Sequence, residues 1–165
     1  MVTQPCYGPF RNIVSVPEPA VTRMPTGKEL DAWRSFLRAH ARLSRVLEAE
    51  LVAEHPITLG GYDVLVQLAE APGRRLRMAE LADAVLLSRS GVTRLVDRLE
   101  MAGMVTRERF DGDGRGIVAV LTTKGVDTLR AAARTHLAGV VRHFVEHLDE
   151  EELASFGALC SRLAD

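Results

Sequence analysis

The chain has 165 residues, of which 47% are hydrophobic and 26% charged, and its formal net charge is −1. This length suits one domain, or one small domain with an added interface, and the composition excludes a largely disordered chain. The near-neutral charge gives no global reason to expect a polyanionic partner, although a local basic patch is enough to hold phosphates.

Residues 1–25 hold five of the seven prolines and show no clear periodicity, which predicts a flexible or strap-like extension. The sequence does not open with a basic stretch followed by an apolar core, and no apolar run approaches the length of a membrane span. We therefore expect a cytoplasmic protein without a membrane partner. Cys6 and Cys160 stand outside any C-x-x-C pattern, so neither a disulfide framework nor a zinc site is indicated.

The segment 26–56 has the pattern of one long helix. Thr26 and Glu29 have the spacing of a capping box, and apolar residues then recur at helical intervals up to about Glu54. A helix of this length exceeds what the core of a small domain can cover. We therefore predict that it joins two copies of the chain.

The next region predicts three shorter helices. Thr58 is placed to cap the first, which stops at Pro72, and Met78–Val85 forms the second. Ser88 stands where the N-cap of the third belongs, and Gly103 is suited to the position just past its end. The last two helices, joined by a tight turn, have the form of a helix-turn-helix.

The helix that follows Ser88 has two different faces. Its apolar stripe is expected to pack inward, while the other face carries hydroxyls and guanidinium groups, as in a helix that reads the major groove. Taken alone, an exposed face with an Arg94–Asp97 ion pair is an equally good interpretation. The inward stripe is Val92, Leu95, Val96 and Leu99, the opposite face is Ser90, Thr93, Arg94 and Asp97, and Arg89 and Arg98 lie at its edges.

Two short β-type runs, Met104–Arg109 and Gly116–Leu121, flank a tip rich in glycine and aspartate, which is typical of a hairpin. Arg115 at the end of this tip suits insertion into a narrow minor groove, where the negative potential is enhanced. Asp113 is placed to hold that side chain, although a turn-forming aspartate beside a solvated arginine explains the pair as well. A helix-turn-helix followed by a basic-tipped wing is a more specific indication of DNA binding than either feature alone.

Residues 123–165 predict two more amphipathic helices. The first has apolar residues from Val126 to Leu148, and Asp149 with Glu152 forms a capping box that opens the second. The predicted fold class is mainly α (α+β), a winged helix-turn-helix lobe with long flanking dimerisation helices. Its predicted segments are an extension at 1–25, a dimerisation helix at 26–56, a DNA-binding lobe at 57–122 and dimerisation helices at 123–165.

The stretch LADAVLLSRSGVTRLVDRLEMAGMV, the wing residues Asp113, Gly114 and Arg115 and the closing VLTTKG resemble the MarR family of winged helix-turn-helix regulators. The resemblance covers about Ile57 to Gly125 and implies a ligand-responsive homodimer, most often a repressor, that binds pseudo-palindromic double-stranded DNA. Gly114 replaces the first arginine of that family's common Asp-Arg-Arg wing, which leaves Arg115 as the insertion residue. The resemblance assigns DNA contacts to Ser88, Arg89, Ser90, Thr93, Arg94, Arg98, Asp113 and Arg115.

Members of that family commonly respond to aromatic acids or phenols bound between the dimer helices and the DNA-binding lobe. The resemblance therefore implies a small aromatic effector, and an aromatic and basic set of residues suits an aromatic carboxylate. At helical spacing, such residues are more often plain core. The candidate lining residues are Trp33, Arg34, Leu37, His40 and Tyr62.

Other sites carry weaker signals. His143 and His147 have the i,i+4 spacing of a metal pair but lack further ligands, so we predict no metal. Cys6 leaves open a thiol-based redox-sensing regulator of the same fold. No catalytic or nucleotide-binding motif occurs, so we predict neither an enzyme nor a cofactor. The alternative from a different class is a winged-helix protein-interaction module that does not bind DNA.

Overall fold

The computed structural model describes residues 23–85, 88–109 and 116–164. The chain divides into two compact units, Met1–Arg38 and Ala39–Asp165, and the division falls inside the first helix. The domain boundaries drawn from the sequence stay predictions. Across the described residues the helices are α1 Gly27–Glu54, α2 Leu59–Glu70, α3 Met78–Ala84, α4 Arg89–Met101, α5 Thr123–His143 and α6 Glu150–Ala164, and the strands are β1 Arg75–Arg77, β2 Val105–Arg109 and β3 Ile117–Leu121.

In the first unit, the predicted capping box opens α1. The Thr26 backbone N–H donates to Glu29 Oε2 at 2.7 Å, and the Glu29 N–H donates to Thr26 Oγ1 at 3.4 Å. Arg23 binds the same carboxylate at 2.6 Å. The Arg23 guanidinium, followed by the Thr26 N–H, lowers the pKa of Glu29 to about 2. The start of the helix is thus fixed by polar groups at its first turn.

In the second unit, one apolar core joins the helix-turn-helix to the sheet. Leu51 of α1 is fully buried in it, and the amphipathic patterns of α2 and α4 supply most of the remaining large side chains. No charged or polar residue among those described is buried there. The fully buried large side chains are Leu51, Val64, Leu65, Leu68, Leu81, Val92, Val96, Met104 and Val105.

The sheet has the order β1-β3-β2, and both pairings are antiparallel. The two wing strands β2 and β3 agree with the predicted hairpin within one residue at their start. Strand β1 was not predicted, because three residues between a turn and a helix are too short for a strand pattern. It forms because Leu76 lies opposite Ala119 of β3, which ties the start of the helix-turn-helix to the wing.

Threonine and serine side chains cap α2 and α4. Thr58 accepts a hydrogen bond from the Gly61 N–H at 3.1 Å, and Ser88 accepts one from the Gly91 N–H at 3.2 Å, as predicted. Gly103 lies just past the end of α4 and has a φ of +72°, a backbone conformation that favours glycine. These local signals therefore set the bounds of α2 and α4.

The end of α5 differs from its prediction. The apolar pattern suggests a helix to Leu148, but α5 stops at His143 and a short 3₁₀ turn, Val145–His147, follows. Phe144 leaves the helical conformation, and its ring contacts Phe156 of α6 with ring centroids 5.3 Å apart. The predicted capping box then opens α6, since Asp149 and Glu152 exchange backbone-to-carboxylate bonds of 3.0 and 2.8 Å.

Of the helices in the described residues, none is long and apolar enough to cross a membrane.

Candidate nucleic-acid interface

The inner face of α4 is held in the core, as its pattern predicts. Val92 and Val96 are fully buried, and Leu95 and Leu99 are nearly so. Burial of four aliphatic side chains at helical spacing fixes how the helix is rotated. All six candidate DNA contacts on α4 and at its N-cap are exposed on the remaining surface: Ser88, Arg89, Ser90, Thr93, Arg94 and Arg98.

The hydroxyl groups at the start of α4 already have partial hydrogen-bond roles. Ser88 Oγ caps the helix and lies 3.3 Å from Ser90 Oγ. Thr93 Oγ1 donates to the Arg89 carbonyl at 2.9 Å, which leaves its lone pairs available to an external donor. Ser88 is therefore first a structural cap, while Ser90 and Thr93 have capacity left for a partner.

The two acidic side chains of α4 are paired from outside the helix. Asp97 does not pair with Arg94, as one interpretation of the sequence had it; both Asp97 and Glu100 bind Arg107 of β2. Within the described ranges, Arg89, Arg94 and Arg98 form no ion pair. Because Arg107 holds both carboxylates, these three arginines on the exposed surface of α4 have no acidic ion-pair partner among the described residues.

Arg107 is a residue of this surface that is not among the contacts predicted from the sequence. A signal for it exists, because Val105 and Arg107 alternate onto the same side of β2, and Val105 is fully buried. An arginine on the inward side of a strand that directly follows a helix is placed to reach that helix. Asp113 and Arg115, the predicted wing contacts, lie in residues 110–115, outside the described part of the chain.

The effector candidates fall in both units. In the first unit, Trp33 stacks on Phe36 with ring centroids 5.9 Å apart, Arg34 binds Asp31 at 3.3 Å, and Leu37 is exposed. In the second, His40 lies on α1. Tyr62 is 8% exposed, and its ring lies 4.6 Å from that of His136. Tyr62 thus has the core role that its helical spacing also allows.

The histidines and cysteines have structural neighbours. His143 Nε2 and Arg142 Nη1 each lie 2.7 Å from Glu50 Oε1, and His147 stands in the 3₁₀ turn after α5, so the two histidines do not share a helix. Across the described residues, no cluster of three potential metal ligands occurs. Cys160 is half-buried on α6, and Cys6 is outside the described residues.

Comparisons with known proteins bear on this surface. A family model described as MarR family matches residues 55–116, which include α2 to β2. The HTH-type transcriptional repressor YetL of Bacillus subtilis (strain 168) is 27% identical over 138 residues, covering 82% of each chain. Two crystal structures of MarR family transcriptional regulators from Streptomyces coelicolor are each 37% identical and cover 86% of this chain.

The first of these structures is AbsC, 95% of which is covered at a TM-score of 0.79. The second regulator is in complex with DNA, and 89% of it is covered at a TM-score of 0.81. These similarities extend over both the helix-turn-helix and the flanking helices. The predicted family and fold class are therefore confirmed, and this chain belongs to the MarR family of winged helix-turn-helix, DNA-binding transcriptional regulators.

Proposed function

We propose that this protein is a ligand-responsive repressor that binds pseudo-palindromic duplex DNA as a homodimer. The observation that carries the proposal is the exposed face of α4, where Arg89, Arg94 and Arg98 have no acidic partner among the described residues. Repression is supported by the similarity to YetL, which is a transcriptional repressor.

In this proposal, α4 enters the major groove with its N-terminal half. Arg94 can donate two hydrogen bonds to one guanine, and Thr93 has acceptor capacity for a base amino group. Arg89 and Arg98, at the edges of the face, are suited to phosphates. The second regulator of Streptomyces coelicolor, which is in complex with DNA, supports this use of the fold.

The wing is the second proposed contact. Strands β2 and β3 pair from Val105 with Leu121 to Arg109 with Ile117, so they form a regular ladder up to the tip. We assign Arg115 to the minor groove and Asp113 to the support of its side chain. A dimer would then place two α4 helices in major grooves about one helical turn apart.

A homodimer is supported by exposed apolar side chains on the flanking helices. Leu137 and Val141 of α5 and Phe156, Leu159 and Leu163 of α6 are exposed in the second unit, as are Trp33 and Leu37 in the first. Exposed apolar side chains that recur along a helix are typical of protein–protein interfaces. A second copy of the chain, which carries the same surface, is the proposed partner.

For the effector, we propose a small aromatic carboxylate or phenol. Trp33 offers an exposed aromatic face, and Arg34 a guanidinium that pairs, among the described residues, with the exposed Asp31. Such a ligand regulates the protein if it binds the DNA-free arrangement more tightly than the DNA-bound one. The ligand would then lower the affinity for DNA, and DNA would lower the affinity for the ligand by the same factor.

Selection of binding sites from random duplexes, followed by a salt titration on the selected site, tests the proposal. We expect a pseudo-palindromic site and an affinity that falls steeply with salt, because arginines displace counterions from phosphates. A panel of aromatic acids added to the complex should contain one that releases the DNA. No duplex binding at low salt would overturn the proposal in favour of a protein-interaction module.

A further inference from the structure

Arg107 of β2 forms hydrogen bonds with α4 through both its side chain and its backbone. Its Nη2 donates to Asp97 Oδ1 at 2.7 Å and to the Thr93 carbonyl at 3.3 Å, and its Nη1 donates to Glu100 Oε2. Its backbone N–H donates to Glu100 Oε1 at 3.1 Å. The Arg107 side chain is only 21% exposed. One largely buried arginine side chain thus spans about two turns of the helix.

The positions of the two acids decide what this contact does. Asp97 lies on the same exposed face as Thr93 and Arg94, and half of its side chain is open to solvent. An unpaired carboxylate there would face the phosphates of any DNA bound to α4 and repel them. An arginine stays charged at every accessible pH, so Arg107 always supplies one positive charge beside these two acids.

We propose that Arg107 is a positioning residue for DNA binding: it holds both carboxylates of α4 and offsets one of their two negative charges beside the face that meets DNA. The inference rests on the proposed docking of α4 in the major groove. The same planar fork also connects α4 to β2, a structural role that the experiment has to separate from the effect of charge.

The same sheet contains an ion pair without such a role. Arg75 of β1 binds Glu108 of β2 at 2.8 Å, and both side chains are about half exposed. This pair connects two strands, and neither side chain forms a hydrogen bond or ion pair with α4 among the described residues. Removal of Arg75 therefore changes the net charge by the same amount as removal of Arg107, yet leaves the carboxylates of α4 paired.

The experiment compares three variants of the full-length chain on a duplex selected by the wild type, with fluorescence anisotropy as the readout. Arg107→Met keeps the aliphatic stem and removes the charge, and we expect roughly a tenfold loss of affinity from the exposed carboxylate. The double variant Arg107→Met/Asp97→Asn restores the wild-type net charge and should bind within about threefold of wild type. Arg75→Met should also stay within about threefold.

The double variant separates charge cancellation from simple support of the fold. Asp97→Asn cannot replace the lost hydrogen bonds of Arg107, so a purely structural role predicts that the double variant binds as weakly as Arg107→Met. That result would overturn the inference, as would an equal loss in Arg75→Met. If the wild type selects no duplex, both the inference and the proposed function fail; if it does and the double variant is not rescued, only the inference fails. Circular dichroism at the assay temperature verifies that each variant is folded.

Discussion

At the scale of single residues, the surface of α4 is set by which charges have partners. Arg94 stands one turn before Arg98 and beside Thr93, and it forms no ion pair with a described residue. An arginine in this state has its planar donor pair free for a guanine. Ser88, in contrast, spends its oxygen on the helix cap.

Arg94→Ala therefore tests base readout directly. We expect a loss of about 1–3 kcal/mol in binding free energy on the selected site, with relaxed preference at one base pair, because one bidentate contact disappears. Affinities measured on a set of single-base-pair operator variants would show it. Arg130→Ala, which removes an exposed arginine of α5 paired with Asp127, is the matched control. A uniform loss over all operator variants would make Arg94 a phosphate contact instead.

His136 gives the fold a dependence on pH. Its Nδ1 is buried and has no hydrogen-bond partner among the described residues, and its ring contacts Tyr62. Burial lowers the pKa of His136 below its ordinary value of 6.5, while the charge of Asp63 acts in the opposite direction. The unfolded chain therefore takes up a proton at higher pH than the folded chain, and the free energy of unfolding falls on acidification.

We expect the stabilising contribution of His136 to be complete above pH 6.5 and to decline as the pH falls through the lowered pKa. Urea unfolding at pH 7.5 and at pH 5.5 measures this difference at one protein concentration. His136→Phe keeps an aromatic ring against Tyr62 and should lose less stability between the two pH values than the wild type. His147→Gln, at an exposed histidine, is the control. An unchanged pH dependence in His136→Phe would contradict the assignment.

At the scale of elements, the start of α5 is fixed on the turn between α4 and β2. The Met104 carbonyl accepts from the Thr122 N–H at 3.1 Å and from Thr122 Oγ1 at 3.0 Å. A Cβ added at Gly125 would lie 2.2 Å from the same carbonyl oxygen. Only glycine permits this approach. Gly125 in the sequence VLTTKG therefore lets the first turn of α5 pack against the backbone of Met104.

Gly125→Ala is expected to destabilise the fold by about 3 kcal/mol, because the backbone of Met104 or of α5 must move. Gly157→Ala on α6 is the matched control, since a Cβ there meets no atom within 4 Å. That variant should be neutral or stabilising by about 0.5–1 kcal/mol from helix propensity alone. Both values come from urea unfolding, and equal effects of the two substitutions would contradict the packing argument.

The elements also show what the sequence could specify. Caps at Thr58 and Ser88 and the apolar stripe of α4 act within one or two turns, so local patterns predicted them correctly. Strand β1 depends on pairing with β3, which lies more than forty residues away in the sequence, and no local pattern encodes that. The end of α5 was misplaced for the same reason, because Phe144 turns toward Phe156 of the next helix.

The candidate DNA surface divides in the same way. The exposed hydroxyls and arginines of α4 follow from helical periodicity, and the structure places all of them on one face. The partner of Asp97 does not follow from helical periodicity. The sequence is equally compatible with a helix arginine three residues away and with a strand arginine ten residues away. Only the three-dimensional contact assigns that carboxylate to Arg107.

At the scale of the whole molecule, the exposed apolar side chains of α5 and α6 limit how the protein can exist in solution. Leu137 and Leu159 are each more than half exposed, and Phe156 and Val141 are nearly as open. Such side chains are stabilised when a second chain covers them, at about 25 cal/mol per Å² of apolar area removed from water. Two copies of α4 in one assembly would also double the number of phosphate contacts.

Leu159→Glu places a charge in this surface and tests the dimer. We expect the dimer to weaken by about 3 kcal/mol or more, because a carboxylate without a partner would be desolvated in each half of the interface. Sedimentation velocity should show monomers at micromolar concentration, and the affinity for the full operator should fall with the dimer population. Leu159→Met preserves apolar contact and should remain dimeric. If Leu159→Glu is still a dimer, or if the wild type is a monomer that binds a half-site as tightly as the full operator, α6 does not form the interface.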